Sequence, residues 1–481
     1  MALWRSTVIV SAMTMLSRVL GLVRDIVLLN VFGAGKDFDT FVVAFRIPNF
    51  FRRLFAEGAF SQAFIPVLTE YKTGRTHAEV QILISRVFGC LMTVMTALTF
   101  IAMVAAPAVL YIYAPGFHAD PEKFDLAVSM FRLTIPYLLF MSLTAFASSI
   151  LNSYGSFASP AFSPVLLNVA MIAGAWWLTP YMAEPIMALG WAVIAAGVLQ
   201  LAIQIPELWH KKLLIPPKVD FKHEGVDRIM KLMLPALFGV SVTQINLLLN
   251  TIWASFMQDG SVSWLYSAER MTELPLGLIG VAIGTVILPA LSTRHAEQDM
   301  SKFRGMMDWA AKVIVLVGVP ASIALFMLST PIIQALFQRG QFTIEDTQMT
   351  ALALQCMSAG VISFMLIKVF APGFYAQQDT KTPVRVGLMA VAANAILNVV
   401  FIGFFKLIDW QAEHMALALA SSGSALVNAG MLYFYLHKRD IFRFGAHWKK
   451  LFIQFGIANA MMIAALWYAL TWYNGDVSQW I

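Results

Sequence analysis

The sequence is short of charge. Asp, Glu, Lys and Arg make up only 12% of its 481 residues, against about 25% in a soluble domain. Apolar residues reach 59% and mean hydropathy is +0.72. A water-soluble globule is thereby excluded. So is a nucleic-acid reading of the net charge of +6, which is better placed in basic loops beside a membrane. Cysteine is nearly absent. Cys90 and Cys356 each lie in an apolar run without a near neighbour, which removes a disulfide framework and leaves two small buried hydrophobes. All eight histidines fall in or beside loops and no two stand at metal-ligand spacing, so no zinc or iron site is expected. The acids inside apolar segments are dispersed, which leaves no cluster for Mg²⁺, and no histidine is placed for acid–base chemistry. There is no G-x-x-x-x-G-K-[ST] run, so the chain does not hydrolyse ATP. An enzyme with a resident cofactor is therefore not expected.

What is abundant is long apolar runs. A membrane helix needs roughly 20 apolar residues. By that measure the chain reads as an all-α polytopic membrane protein with thirteen spans: 7–31, 39–68, 82–113, 126–153, 160–180, 185–206, 229–257, 263–291, 306–328, 346–375, 383–405, 413–436 and 449–472. The first run outlasts a secretory h-region and contains Arg18, Arg24 and Asp25, so it reads as an uncleaved span. With the N-terminus cytoplasmic, eighteen lysines and arginines fall in inner segments and four in outer ones (Lys36, Lys123, Arg339 and Lys406). That bias sets the orientation.

Two features recur at one displacement. Phe64-Ile65-Pro66-Val67-Leu68 returns as Ile287-Leu288-Pro289-Ala290-Leu291, and the turn ending at Pro160 returns as the turn ending at Pro383, both 223 residues on. Six spans per half make the repeats parallel, related by a pseudo-two-fold along the membrane normal. The expected division is an N-terminal six-helix lobe at 1–218, a C-terminal six-helix lobe at 219–440 and an extra C-terminal span at 441–481, with a basic linker near 208–228.

Several charges lie where lipid would reject them. Ser17, Arg18, Gly21, Arg24 and Asp25 form one helical stripe near mid-membrane. Each arginine there costs roughly 2.5–3.5 kcal/mol on the insertion scale, so the stripe should face protein or a water-filled cavity. Asp25 can pair with one arginine but cannot neutralise two. The second span holds Asp39, Arg46, Pro48, Asn49, Arg52, Arg53 and Glu57. Arg53 and Glu57 are placed for an i,i+4 pair, whereas Arg52 shares another face with Asn49. The eighth span holds Glu269, Arg270 and Glu273, the last two spaced for pairing, and the tenth holds Lys368 without a nearby acid. Arg86, Arg132, Lys231 and Lys312 lie near span ends and are expected to snorkel to the headgroups. Buried arginine forks suit a phosphate or diphosphate better than lysines do, so the expected ligand is anionic.

At these residues the sequence resembles a known family. Met13-Thr14-Met15-Leu16-Ser17-Arg18-Val19-Leu20-Gly21, then Arg24-Asp25 and Phe32-Gly33-Ala34-Gly35, are similar to the opening of the MurJ/MviN lipid II flippases. So are Phe45-Arg46-Ile47-Pro48-Asn49, Arg52-Arg53-Leu54-Phe55-Ala56-Glu57-Gly58, Gly260-Ser261-Val262-Ser263-Trp264, Glu269-Arg270 with Glu273, and Lys368-Val369 with Lys381-Thr382-Pro383. The match runs to about residue 440.

The resemblance implies the multidrug/oligosaccharidyl-lipid/polysaccharide exporter fold, with a central cavity between two lobes. It implies transport of lipid II, the undecaprenyl-diphosphate-linked peptidoglycan precursor, from the cytoplasmic to the periplasmic leaflet of the inner membrane by alternating access. Arg18, Arg24, Arg52 and Arg270 would line the cationic cavity, with Ser17, Asp25, Asn168 and Gln244 as further polar contacts. Asp39, Arg53, Glu57, Glu269, Glu273 and Lys368 would take part in gating pairs. No cofactor is implied; Na⁺ or the membrane potential are open as driving forces. The implied partners are lipid II, membrane lipids and other cell-wall synthesis proteins, with no nucleic acid. Family members usually carry fourteen spans, the last two forming a groove for the lipid tail, and this sequence offers thirteen. On residue chemistry alone two other cargoes stay open: another lipid-linked oligosaccharide, or a drug exchanged for a cation.

Overall fold

The computed structural model describes the backbone of residues 2–52 and 60–472; within it, the side chains of residues 2–9, 234–244, 278, 281, 282, 285 and 446 are not described. Among the described residues the secondary structure is helical throughout, without strands. In chain order the helices are α1 (Ala2–Phe32), α2 (Lys36–Phe51), α3 (Ser61–Gly74), α4 (His77–Val104), α5 (Ala106–Tyr113), α6 (Pro121–Thr134), α7 (Tyr137–Ser153), α8 (Ala158–Ala173), α9 (Met187–Ala202) and α10 (Ile205–His210). There follow α11 (Glu224–Ser255), α12 (Ser261–Pro275), α13 (Val281–Ala296), α14 (Met300–Met327), α15 (Ser329–Phe337), α16 (Ile344–Tyr375), α17 (Lys381–Leu407), α18 (Met415–Lys438) and α19 (Ala446–Thr471).

Nine helices or helix pairs among the described residues are long and apolar enough to cross a membrane. They cover the expected spans from the third to the sixth and from the ninth to the thirteenth. The other four expected spans map to α1, to α2 with α3, to α11, and to α12 with α13. The charged stripes lie in three of them, and charge and proline lower their apolar character. α11 is helical from end to end, but the side chains at its centre are outside the description. Expected spans break where proline or a π-turn intervenes. The fourth becomes α6 and α7 at Pro136, and the eighth becomes α12 and α13 around the π-turn Leu276–Gly280. Membrane helices tolerate such breaks where neighbours resatisfy the backbone. The last span, α19, exposes Phe452, Ile453, Ile457 and Met461 along its length and Trp467, Tyr468 and Trp472 at its end. That is a lipid-facing helix with an interfacial aromatic anchor.

The displacement of 223 residues reappears in the helix boundaries. His77–Val104 and Met300–Met327 coincide at both ends after that shift. Asp120 and Thr343, which cap α6 and α16, are 223 apart, and so are the starts of α8 and α17 and the ends of α1 and α11.

The chain forms two compact units, residues 1–260 and 261–481. In the first, Phe64, Leu68, Leu83, Phe146, Ile150, Leu151 and Val226 build a core under α3, α4, α7 and the start of α11. The connecting segment after α10 is bonded along α4. Gln81 Nε2 donates to Lys212 O (2.7 Å), Ser85 Oγ to Pro216 O (2.6 Å), and Lys218 N to Ser85 O (3.1 Å). One turn further on, a Cβ at position 89 would overlap the Lys218 backbone, so only glycine lets the chain lie there. Positions 81, 85 and 89 thus make a shallow track on one helix face. In the second unit Phe303, Met307, Ile314, Met365, Phe370, Phe374, Leu436 and Trp448 form the core. Trp448 Nε1 donates to Asp308 (2.6 Å), which pins α19 to α14.

The cations near span ends find acids or carbonyls within the protein. Arg86 pairs with Asp220, Lys231 with Asp227 and Lys312 with Asp308, and Arg132 Nε donates to Met103 O. Snorkelling accounts for their depth; pairing accounts for their direction. Cys90 and Cys356 are both free and buried.

Candidate functional site

The polar stripe of α1 turns toward α8. Arg24 is 7% exposed and Asp25 2%. Arg24 donates from Nε (2.9 Å) and Nη2 (2.6 Å) to Asp25 Oδ1, and from Nη1 to Asn168 Oδ1 (3.0 Å). Asn168 Nδ2 in turn donates to the backbone carbonyl of Ser17 (3.0 Å). Gly21 lies opposite Asn168. Four expected site residues, Ser17, Arg24, Asp25 and Asn168, therefore meet in one network. The amide of Asn168 is the link: its oxygen takes Arg24 and its nitrogen ties back to α1 one to two turns earlier. Arg18 stands apart. It is exposed, and among the described residues it has no ion pair. One acid serves one arginine, as the charge count required.

At the end of α2, Arg52 Nε donates to Asn49 Oδ1 (3.1 Å), the shared face the spacing predicts. Arg46 is 9% exposed and its Nη1 donates to Thr251 Oγ1 on α11 (3.0 Å). Arg53 and Glu57 lie outside the described residues, as does the side chain of Gln244.

In the second unit Arg270 pairs with Glu273 (3.0 Å), donates to Tyr266 Oη (3.1 Å) and lies 4.8 Å from that ring's centroid. Tyr266, Arg270 and Glu273 are i, i+4 and i+7, so one face of α12 presents the guanidinium on an aromatic shelf. Glu269 is half-buried beside it. Just beyond comes the π-turn Leu276–Gly280, a geometry that often marks functional sites. Lys368 on α16 is exposed and has no ion pair among the described residues.

Asp39 is fully buried. It takes Lys123 Nζ (3.3 Å) and the Gly260 backbone N–H (2.9 Å). Lys123 also pairs with Asp259 (2.6 Å). Sequence reasoning read Lys123 as a loop cation, since nothing in Asp120-Pro121-Glu122-Lys123 marks burial. Thr251 was missed as a partner of Arg46 for the same reason. The buried asparagines Asn394 and Asn398, bonded at 3.0 Å on α17, were also missed. Their i,i+4 spacing in an apolar run was the available signal. Among the described residues no three His, Cys, Asp or Glu side chains converge as a metal site.

A buried, acid-braced arginine pair of helices on a two-unit helical frame suits an anion carrier, and comparison with known proteins specifies which kind. The family model described as "Lipid II flippase MurJ" matches residues 28–480. The chain belongs to the MurJ family. Among curated relatives, "Probable lipid II flippase MurJ" of Vibrio cholerae serotype O1 is 44% identical, over 99% of this chain and 92% of its own length. "Lipid II flippase MurJ" of Burkholderia cenocepacia is 40% identical over 97% of this chain and 90% of its own. A solved "Lipid II flippase MurJ, inward closed conformation" superposes with TM-score 0.81 at 26% identity, covering 96% of this chain and 93% of that one. An inward-facing multidrug resistance MATE transporter of the MOP superfamily superposes at TM-score 0.72 and 12% identity, covering 90% of this chain and 97% of its own, which is a likeness of fold. This MurJ family member is thus a multi-pass α-helical transporter of that superfamily fold.

Proposed function

We propose that the chain is a lipid II flippase, moving the undecaprenyl-diphosphate-linked precursor from the cytoplasmic to the periplasmic leaflet of the inner membrane by alternating access. The observation that carries this is the arginine network of α1 and α8. Arg24 is held by Asp25 and Asn168 with its planar fork oriented, while Arg18 on the same helix is exposed. A diphosphate needs bidentate donors and compensating charge, and arginine supplies both. Arg18, Arg24, Arg52 and Arg270 bind the diphosphate, assisted by Ser17, Asn168 and Gln244. The lipid tail stays in the bilayer. Asp39, Arg53, Glu57, Glu269, Glu273 and Lys368 make and break ion pairs as access alternates between the lobes. The N-terminus is cytoplasmic, as the basic loops require. An inside-negative potential favours outward movement of an anionic headgroup, and Na⁺ is the alternative driver. Other cell-wall synthesis proteins are its expected neighbours.

The test is complementation of cells depleted of their own flippase, with periplasmic exposure of lipid II as the readout. Exposure should be restored by this chain and lost with Arg24→Ala or Arg270→Ala at normal protein levels. Undiminished exposure in both variants would remove the proposed roles. Native mass spectrometry of the co-purifying lipid separates lipid II from another lipid-linked oligosaccharide.

A further inference from the structure

The first unit ends in an ionic arrangement that helix packing alone does not call for. Lys123, 5% exposed on the first turn of α6, reaches two carboxylates: Asp39 on α2, fully buried, and Asp259 just after α11, whose side chain is 56% exposed. Gly260 N–H also donates to Asp39, and Gly116 N–H donates to Ser255 Oγ at the last turn of α11 (3.0 Å). Asp120 caps α6 and holds Lys36 at 2.8 Å. The second unit shows what the same helix pair does without this charge. At 223 residues' displacement, Lys123 becomes Asp346 and Asp39 becomes Val262. There Trp264 Nε1 donates to Asp346 (2.9 Å), and that bond joins α12 to α16.

We propose that Asp39, Lys123 and Asp259 form a releasable latch on the end of α11, with Lys123 as its positioning residue, and that Asp259 lets go during each transport cycle while Asp39 keeps Lys123 neutralised. The proposal rests on the transport reading above. The physical reason for the two-acid design is the cost of a stranded charge. Separating a buried pair leaves an uncompensated ion in low dielectric. Releasing Asp259 strands nothing, because Lys123 retains Asp39 and the half-exposed Asp259 is rehydrated. The end of α11 thus leaves α2 and α6 without exposing a bare buried charge, and returns to a preformed cation.

Ser255, 4% exposed, serves as the reporter. In a Cys90→Ala, Cys356→Ala background, Ser255→Cys is labelled from the periplasmic side with a membrane-impermeant maleimide. Adding Asp259→Asn should speed labelling about tenfold, the scale of one lost charge-assisted bond. Adding Lys123→Arg should keep the slow rate, since a cation remains between both acids. With Asp259 intact, labelling should be faster in cells making lipid II than in cells blocked in its synthesis. Rates indifferent both to Asp259→Asn and to lipid II supply would overturn the latch. If the parent chain fails to expose lipid II but Asp259→Asn still speeds labelling, the latch stands and the transport reading falls. Asp259→Asn removes only the half-exposed partner, so folding is not at risk as it would be with Lys123→Met.

Discussion

Removing the carboxylate of Asp25 should unbalance the best-ordered part of the arginine site, and by a graded amount. In Asp25→Ala, Arg24 loses two charge-assisted bonds and its neutralising partner while its side chain is only 8% exposed. Breaking a buried pair from one side costs about 3–5 kcal/mol. Asp25→Asn keeps an oxygen at the same place but no charge. A charged hydrogen bond contributes about 1.5–3 kcal/mol and a neutral one about 0.5–1.5, so the amide should cost about 2 kcal/mol. The double variant Arg24→Leu/Asp25→Ala should be less destabilised than Asp25→Ala alone, because no buried charge is left unpaired. Asn168→Ala should resemble Asp25→Asn, since it removes one acceptor from Arg24 and one tie to Ser17 O. The assay is equilibrium unfolding in lipid-containing micelles, read alongside lipid II exposure in depleted cells. The reasoning fails if Asp25→Ala and Asp25→Asn cost the same, or if the double-mutant cycle shows no coupling between Arg24 and Asp25.

Three further outcomes are expected. Arg18→Ala should cut lipid II exposure by more than about tenfold, the effect of losing one charged contact, with little change in unfolding, because Arg18 is exposed and bridges no described residue. Gly89→Val should lift the 212–222 segment off α4, costing about 2–4 kcal/mol by overpacking and lost bonds, and tryptic cleavage at Lys218 and Lys222 should accelerate. Asp379 lies in the turn between α16 and α17; burial alone would raise its pKa, but hydrogen bonds from Thr382 and Arg439 outweigh it and hold the group at about 2. Because that value is depressed, the stabilisation, about 2 kcal/mol, is full above the ordinary carboxylate range and fades as pH falls toward about 2. Asp379→Asn should lose it at neutral pH and flatten the acid slope of unfolding.

How much was legible in advance differs from residue to residue. Helical periodicity alone put Ser17, Arg18, Gly21, Arg24 and Asp25 on one face, and the insertion cost alone required that face to meet something other than lipid. Two proline-marked turns were enough to reveal the 223-residue displacement that the helix ends repeat. Asn49 beside Arg52 and Glu273 beside Arg270 followed from i,i+3 spacing. These are local relations, set by covalent distance along one helix.

Partners from other helices were not legible. That Asp25 takes Arg24 and not Arg18 depends on Asn168 arriving from α8 to complete the guanidinium's bonds. That Lys123 is buried between Asp39 and Asp259 depends on α2, α6 and the end of α11 meeting. The sequence by itself determined the solvent of this protein, its spans, its repeat and the helix faces that must be shielded, because hydrophobicity and helical spacing are properties of the chain. Which charge neutralises which was decided only by tertiary structure, because Coulombic pairing acts through space and the chain does not record which distant helices will be neighbours.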